Sequence, residues 1–219
     1  MKTHTKEFQE NLSPRQAFEV LEEGNRRFIN NLKVNRNLLQ QLSDTQFEQY
    51  PFAVALSCMD SRSSVELIFD QGLGEIFSIR IAGNIVNDDI VGSMEYACKV
   101  IGSKLIVVLG HSRCGAIKGA THQLEMGNLT GLLEKIKPAV EKTGHQDDEI
   151  HTSIYAEKIA HANVLNSMEE ILERSSIIRS LYKEGRIGLV GGMYSLDNGR
   201  VHFIKKMFAE ELVHHKLAI

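Results

Sequence analysis

The stretch LIVVLGHSRCG, residues 105–115, decides the fold, because an unbroken apolar run ends abruptly in reactive side chains. Five apolar residues from Leu105 to Leu109 without polar alternation are the mark of a strand covered on both faces. A second stretch has the same form: FAVALSCMDSR, residues 52–62, runs from Phe52 to Ser57 as a strand and then reaches Cys58, Asp60 and Arg62. Shorter runs at Ile76–Ile81 and Ile187–Val190 read as further strands. Helical spacing lies between them at Val65–Phe69, Asp89–Ile101 and about Ala116–Glu125, then at Asn128–Lys142 and Ile154–Lys183. Asp88 and Asp89 favour a helix start and Gly102 a helix stop. Asp197-Asn198-Gly199 is a turn signal between Met193-Tyr194 and Val201-His202-Phe203, which predicts a terminal hairpin.

Strands alternating with helices predict an α/β fold, with a mostly parallel central sheet flanked by helices. Upstream of it, Ser13, Pro14 and Gln16 form a capping-box signature. Ala17, Phe18, Leu21 and Phe28 then recur on one helical stripe, so an N-terminal helical arm is expected. The stripe requires a partner surface on its own domain or on a second subunit. With three prolines and no repeat or linker, the reading is one domain over residues 1–219: an arm over 1–50, an α/β core over 51–205 and a tail over 206–219.

The composition narrows the function. Apolar residues make up 42% and charged residues 24%, an ordinary globular balance. A net charge of −3 with scattered Lys and Arg argues against nucleic acid as a partner. No apolar run is long enough to span a membrane, and the first residues lack the apolar core of a secretory signal, so a cytoplasmic protein is expected. Three cysteines do not form a disulfide framework, which directs attention to metal binding or catalysis in a reducing compartment.

Cys58-Met59-Asp60-Ser61-Arg62 and His111-Ser112-Arg113-Cys114-Gly115 each follow the C-terminal end of a predicted strand, the edge at which open parallel sheets bind ligands. Cys58, His111 and Cys114 offer two thiolates and one imidazole. That set suits Zn2+ and leaves one tetrahedral position open, as in catalytic sites. A zinc ion there would lower the pKa of its water and supply hydroxide as nucleophile. Asp60 could accept the hydrogen of that hydroxide and aim its lone pair, while Arg62 keeps the carboxylate ionised through a bidentate contact. If Arg62 let go, Asp60 could become a fourth ligand and close the site. Taken singly, a cysteine or histidine at a strand end belongs to the core, and an Asp-x-Arg pair is a surface ion pair of small energy. The coincidence of all of them on two loops is what singles the set out.

The pattern Cys-x-Asp-Ser-Arg followed by His-Ser-x-Cys-Gly resembles the signature of β-class carbonic anhydrases. Supporting matches are LEEGNRRF (21–28), FDQGLGE (69–75), Arg80 with AGN (82–84) and GGMY (191–194), so the resemblance covers roughly residues 13–205. It implies reversible hydration of carbon dioxide to bicarbonate and a proton, with one Zn2+ per subunit on Cys58, His111 and Cys114. It also implies an Asp60–Arg62 dyad, a substrate-binding Gln71, and a homodimer or homotetramer with a domain-swapped helical arm; Gly115, next to Cys114, is read as a second substrate-binding position. Two departures stand out: Met59 replaces the usual Ser, and Ala55 stands where bicarbonate-regulated members carry Trp, which implies that the regulatory bicarbonate pocket is missing.

Three rival functions compete. A hydrolase of carbonyl sulfide or carbon disulfide would use the same site. A non-catalytic zinc-stabilised sensor or interaction protein requires Asp60 on the metal at every pH. A thiol redox protein using Cys58 and Cys114 lacks a Cys-x-x-Cys motif and leaves His111, Asp60 and Arg62 unexplained. Cys98 sits on the stripe Ile90, Met94, Ala97, Cys98, Ile101 and reads as core, Arg113 as a solvated loop charge and residues 141–151 as a solvated loop. His122, His145, His151, His161 and His202 are candidate proton shuttles without a ranking, and His214 and His215 belong to the tail.

Overall fold

The structure, a computed structural model, describes residues 3–144 and 152–209. One five-stranded sheet has the order β2-β1-β3-β4-β5, where β1 is Ala53–Ser57, β2 Ile76–Arg80, β3 Leu105–His111, β4 Gly188–Tyr194 and β5 Val201–Met207. The first four strands run parallel, and β5 returns antiparallel to β4 across the predicted turn. Every residue of β1 and β3 is buried. Alternation then divides them between two cores. Val54, Leu56, Ile106 and Val108 face one apolar cluster, while Ala53, Ala55, Leu105, Val107 and Leu109 face the other.

The helices follow their sequence signals, with two corrections. The arm consists of α1 (Lys6–Asn11), α2 (Pro14–Ile29) and α3 (Leu38–Asp44). The capping box is formed: Ser13 Oγ accepts from Gln16 N at 3.2 Å, and Gln16 Oε1 accepts from Ser13 N at 2.9 Å. After the short α4 (Val65–Ile68), α5 (Asp88–Glu95) continues as a π-helical segment, Tyr96–Ile101, and stops at Gly102 in the left-handed region with φ 94°. Beyond α6 (Gly115–Thr121), the helix expected over 128–142 is two, α7 (Gly127–Glu134) and α8 (Lys137–Thr143), because Pro138 in the first turn of α8 cannot extend the preceding ladder. The helix expected over 154–183 likewise divides into α9 (Ser153–Arg174) and α10 (Ser176–Lys183). Ser175 breaks it: its Oγ caps α10 by accepting from Ile178 N at 3.0 Å and also bonds Glu95 at 2.5 Å. Among the described residues no helix is long and apolar enough to cross a membrane. His145, His151, His214, His215 and most of the 206–219 tail lie outside the described residues, as does most of the predicted 141–151 loop.

The apolar stripe of α2 packs on its own chain's sheet, where the resemblance implied a swapped subunit. Phe18 meets Phe203 edge-on at 4.7 Å and Phe208 at 6.2 Å, and Leu21 is fully buried in the same cluster. One residue fastens the arm. Buried Asn25 donates to Ile68 O at 3.1 Å and to Gly199 O at 2.9 Å, and its Oδ1 accepts from Val201 N at 2.9 Å. Its amide therefore bridges α2, α4 and the β4–β5 hairpin.

Replacing Asn25 by Ala strands three backbone groups in the interior, at a cost of about 1–3 kcal/mol for each one left unsatisfied. Urea unfolding of Asn25→Ala should show a loss of at least about 2 kcal/mol on that basis. A change within a few tenths of a kcal/mol would mean that the arm is not held by this residue.

Candidate active site

The strand order places the two reactive loops side by side. The chain leaves β1 toward β2 on one side and leaves β3 toward β4 on the other, which opens a crevice at the C-terminal ends of β1 and β3. Register is level there, with Ser57 opposite Leu109, so Cys58 and His111 emerge as neighbours. In the first loop Ser63 Oγ donates to Cys58 O at 3.0 Å and to Asp60 O at 2.9 Å, and Ser63 N donates to Asp60 O at 3.0 Å. These bonds wind residues 60–63 into a tight turn. In the second, Arg113 takes a left-handed conformation with φ 56°, and Cys114 follows as the residue that precedes α6.

Cys58, His111 and Cys114 are all buried, and their ligand atoms lie within 4.8 Å of one another. The two sulfurs are 3.8 Å apart, and no cysteine is in a disulfide. Cys58 Sγ also receives Gly83 N–H at 3.4 Å. The hydrogen bond from the Cys114 thiol pulls the Cys58 thiol down to about 4 against its burial, with His111 and Gly83 assisting. The same bond and its own burial push Cys114 far up. The pair thus gives up one proton readily and holds the second, until a cation takes its place.

His111 supplies the fit test for a metal. Its Nδ1 lies 2.9 Å from Ser112 O, a contact in which Nδ1–H donates, so the neutral ring turns the lone pair of Nε2 toward the thiols. Among the described residues that Nε2 is buried without a hydrogen-bond partner. A buried acceptor beside two thiols, one of them already acidified, is the donor set of a tetrahedral divalent metal, so the residues fit Zn2+.

Asp60 and Arg62 pair as a fork. Asp60 Oδ1 accepts from Arg62 N at 2.9 Å and from Nε at 3.0 Å, while Oδ2 accepts from an Arg62 terminal nitrogen at 2.8 Å. The Arg62 guanidinium holds the Asp60 carboxyl well below the usual carboxylate range, overcoming its desolvation. The Met59 side chain is exposed, so its substitution leaves the cluster undisturbed.

The structure brings Cys58, Asp60, Arg62, His111 and Cys114 into one crevice, with Gly115 at its edge. An added Cβ on Gly115 would meet nothing within 4 Å, so the space above it is open. Gln71 sits in the α4–β2 loop, where its Nε2 donates to Phe69 O at 2.6 Å. Cys98 is a core thiol, pushed up to about 12 by burial. Arg113 pairs with Asp197 across the loops instead of standing free.

Three supporting residues carry roles that the sequence reading did not assign. Arg80 donates through Nε to Cys58 O at 3.3 Å and through a terminal nitrogen to Asp60 O, fixing the first loop from the end of β2. Gly83, with φ 68°, offers its N–H to Cys58 because a side chain there would strike Ile136 at 2.7 Å. Asn163 on α9 steadies that turn by donating to Gly83 O at 2.8 Å. The run Arg80 with Ala82-Gly83-Asn84 was visible as a motif, yet its role depends on contacts remote in sequence.

Comparison with known proteins agrees with this geometry. A family model described as carbonic anhydrase matches residues 53–201. Carbonic anhydrase 2 of Mycobacterium tuberculosis is 35% identical over 196 residues, covering 87% of this chain and 92% of its own. The carbonic anhydrase of Mycolicibacterium smegmatis is 34% identical over 202 residues, covering 87% and 93%. Among solved structures, the β-carbonic anhydrase CcaA superposes with a TM-score of 0.69 at 27% identity, covering 86% of this chain and 95% of that one. A tetrameric β-carbonic anhydrase from Sordaria macrospora gives 0.69 at 26% identity, covering 78% and 87%. With sheet, crevice and sequence in agreement, the chain belongs to the β-carbonic anhydrase family of enzymes.

Proposed function

We propose that the chain catalyses reversible hydration of carbon dioxide to bicarbonate and a proton, using one Zn2+ per subunit held by Cys58, His111 and Cys114, with Asp60 and Arg62 as the catalytic dyad. The observation that carries this reading is the unpartnered His111 Nε2 buried beside two thiols while Asp60 is engaged elsewhere. Zn2+ in such a site supplies a Lewis acid that brings the ionisation of water near neutrality. Cys58 and Cys114 bind it as thiolates, and the Ser112 carbonyl holds the His111 ring in the required tautomer. Asp60, kept ionised by Arg62, is an acceptor-only group at the mouth of the crevice. It accepts a hydrogen from the reacting water and so fixes the direction of the oxygen lone pair toward the carbon of carbon dioxide. Gly115 leaves room for that linear molecule, and Gln71 is assigned to its outer side.

The fork to Arg62 also favours this reading over a zinc-stabilised sensor, which needs Asp60 on the metal. Residues 1–50, 51–205 and 206–219 are taken to act as one catalytic unit in a cytoplasmic homodimer or homotetramer, in keeping with the tetrameric relative and the reduced cysteines. Leu38, Leu39, Leu42 and Phe47 are exposed around α3 and offer an apolar face to a second copy.

Stopped-flow hydration of carbon dioxide by protein of known zinc content should show fast turnover with about one zinc per chain, as an open catalytic site requires. Both should be lost in Cys58→Ala. Full zinc without turnover would sink the proposal, and parallel assays on carbonyl sulfide would then test the rival hydrolase. Asp60→Asn keeps the shape of the fork but removes the charge. It should retain zinc while turnover falls on the order of 10²-fold or more, the range of a lost proton-handling group. Loss of the zinc itself would make Asp60 structural.

A further inference from the structure

The sheet has a second cluster of reactive groups at its opposite end. β3 is seven residues long, so Lys104, which precedes it, stands about 20 Å from the metal cluster at its far end. Lys104 is half-buried in the wall of a cleft of about 720 Å³ between α1, the loop after α3, the π-helical segment and the start of β4. The charged residues that line the same cleft are Lys6, Lys99, Arg186, Glu10 and Glu48, of which Arg186 and Glu10 act electrostatically on Lys104. Each acid is already engaged: Glu10 pairs with Lys6 at 3.9 Å, and Glu48 accepts the Tyr50 hydroxyl. Arg186 is turned toward Glu184 at 3.7 Å. Among the described residues Lys104 Nζ has neither a hydrogen-bond nor an ion-pair partner, and its backbone alone is tied, to Phe52 O at 2.8 Å and Gly188 N at 2.9 Å.

An ammonium in this position is poorly placed. Burial and the Arg186 guanidinium both lower the Lys104 pKa, and the pull of Glu10 in the other direction is the smallest of the three influences. The neutral amine is consequently more populated here than on an open surface, and a neutral, accessible lysine amine is a nucleophile.

We propose that Lys104 reacts with carbon dioxide itself and becomes a carbamate held by the cations of the cleft. The Nζ lone pair attacks the carbon of carbon dioxide, a C–N bond forms, and one C=O π pair moves onto oxygen. Nitrogen then releases one proton to water, so that amine plus carbon dioxide becomes carbamate plus a proton, with no oxidant or further reactant. The product reverses the sign of the charge. Arg186, which repels an ammonium here, attracts the new carboxylate, and guanidinium geometry suits its two oxygens; Lys99 adds a second positive charge to the cleft. The site responds to dissolved carbon dioxide and does not require turnover at the metal cluster.

The test is chemical trapping. Full-length zinc-loaded protein is equilibrated with ¹³C-labelled carbon dioxide and bicarbonate near neutral pH, alkylated with triethyloxonium, digested and mapped by mass spectrometry. The ethylated carbamate is expected on Lys104 at carbon dioxide levels that leave the exposed Lys118 and Lys135 unlabelled. Lys104→Arg, which keeps the positive charge, should lose the adduct, and Arg186→Gln, checked for folding by circular dichroism, should lower Lys104 labelling several-fold. Labelling of Lys104 no greater than that of Lys118 and Lys135 overturns the proposal. So does labelling unaffected by Arg186→Gln. Neither result bears on hydration, because the dissolved gas is supplied at equilibrium.

Discussion

The structure turns on a polar debt that the chain cannot settle with its own hydrogen bonds. Two thiols and His111 Nε2 converge within 4.8 Å inside the protein, and among the described residues the nitrogen has no hydrogen-bond partner. A buried acceptor left without a partner costs about 1–3 kcal/mol. Nearby carbonyls, by contrast, are engaged: Ser63 and Arg80 bind those of Cys58 and Asp60, and Asn163 binds that of Gly83. Of the three atoms a metal would use, the two sulfurs bond each other and His111 Nε2 is left without a partner among the described residues.

The sheet supplies the alignment. Cys58 and His111 belong to segments well separated in sequence, and only the parallel pairing of β1 with β3 brings them level. That pairing is itself fixed by burial on both faces, since a slip of one residue would exchange Val54 and Leu56 with Ala53 and Ala55 between the two cores. Ala53 and Ala55 of β1 belong to the apolar cluster that Ala17, Phe18 and Leu21 of α2 complete. The arm therefore contributes to the site indirectly, by covering the face that holds the register.

These relationships explain what was legible in the sequence. The strands, the Ser13 capping box, the Gly102 stop and the 197–199 turn are local, and each residue carries its own signal. The metal cluster was readable because its two halves sit at strand ends, where topology brings loops together. The helices over 128–142 and 154–183 were read as continuous because apolar spacing persists through the breaks. Pro138 and Ser175 could have marked them, since one is a helix-start residue and the other a cap. Asn25, Gly83 and Asn163 were not readable in this way, because their partners lie tens of residues away and an asparagine or glycine in isolation indicates only a turn. The arm's packing was open in the sequence for the same reason: an apolar stripe specifies that it must be covered, not by which chain.

The Asp60–Arg62 fork illustrates how little binding energy a decisive contact needs. Arg62 is more than half exposed, and solvent screens ion pairs of that kind so that they add little to stability. Its importance is positional. Left alone, a carboxylate two residues from Cys58 would be drawn to any cation held by the thiolates and would occupy the coordination position that the reaction needs. Three hydrogen bonds from Arg62 and the anchoring of the Asp60 carbonyl by Arg80 hold the group near the cluster yet turned from it.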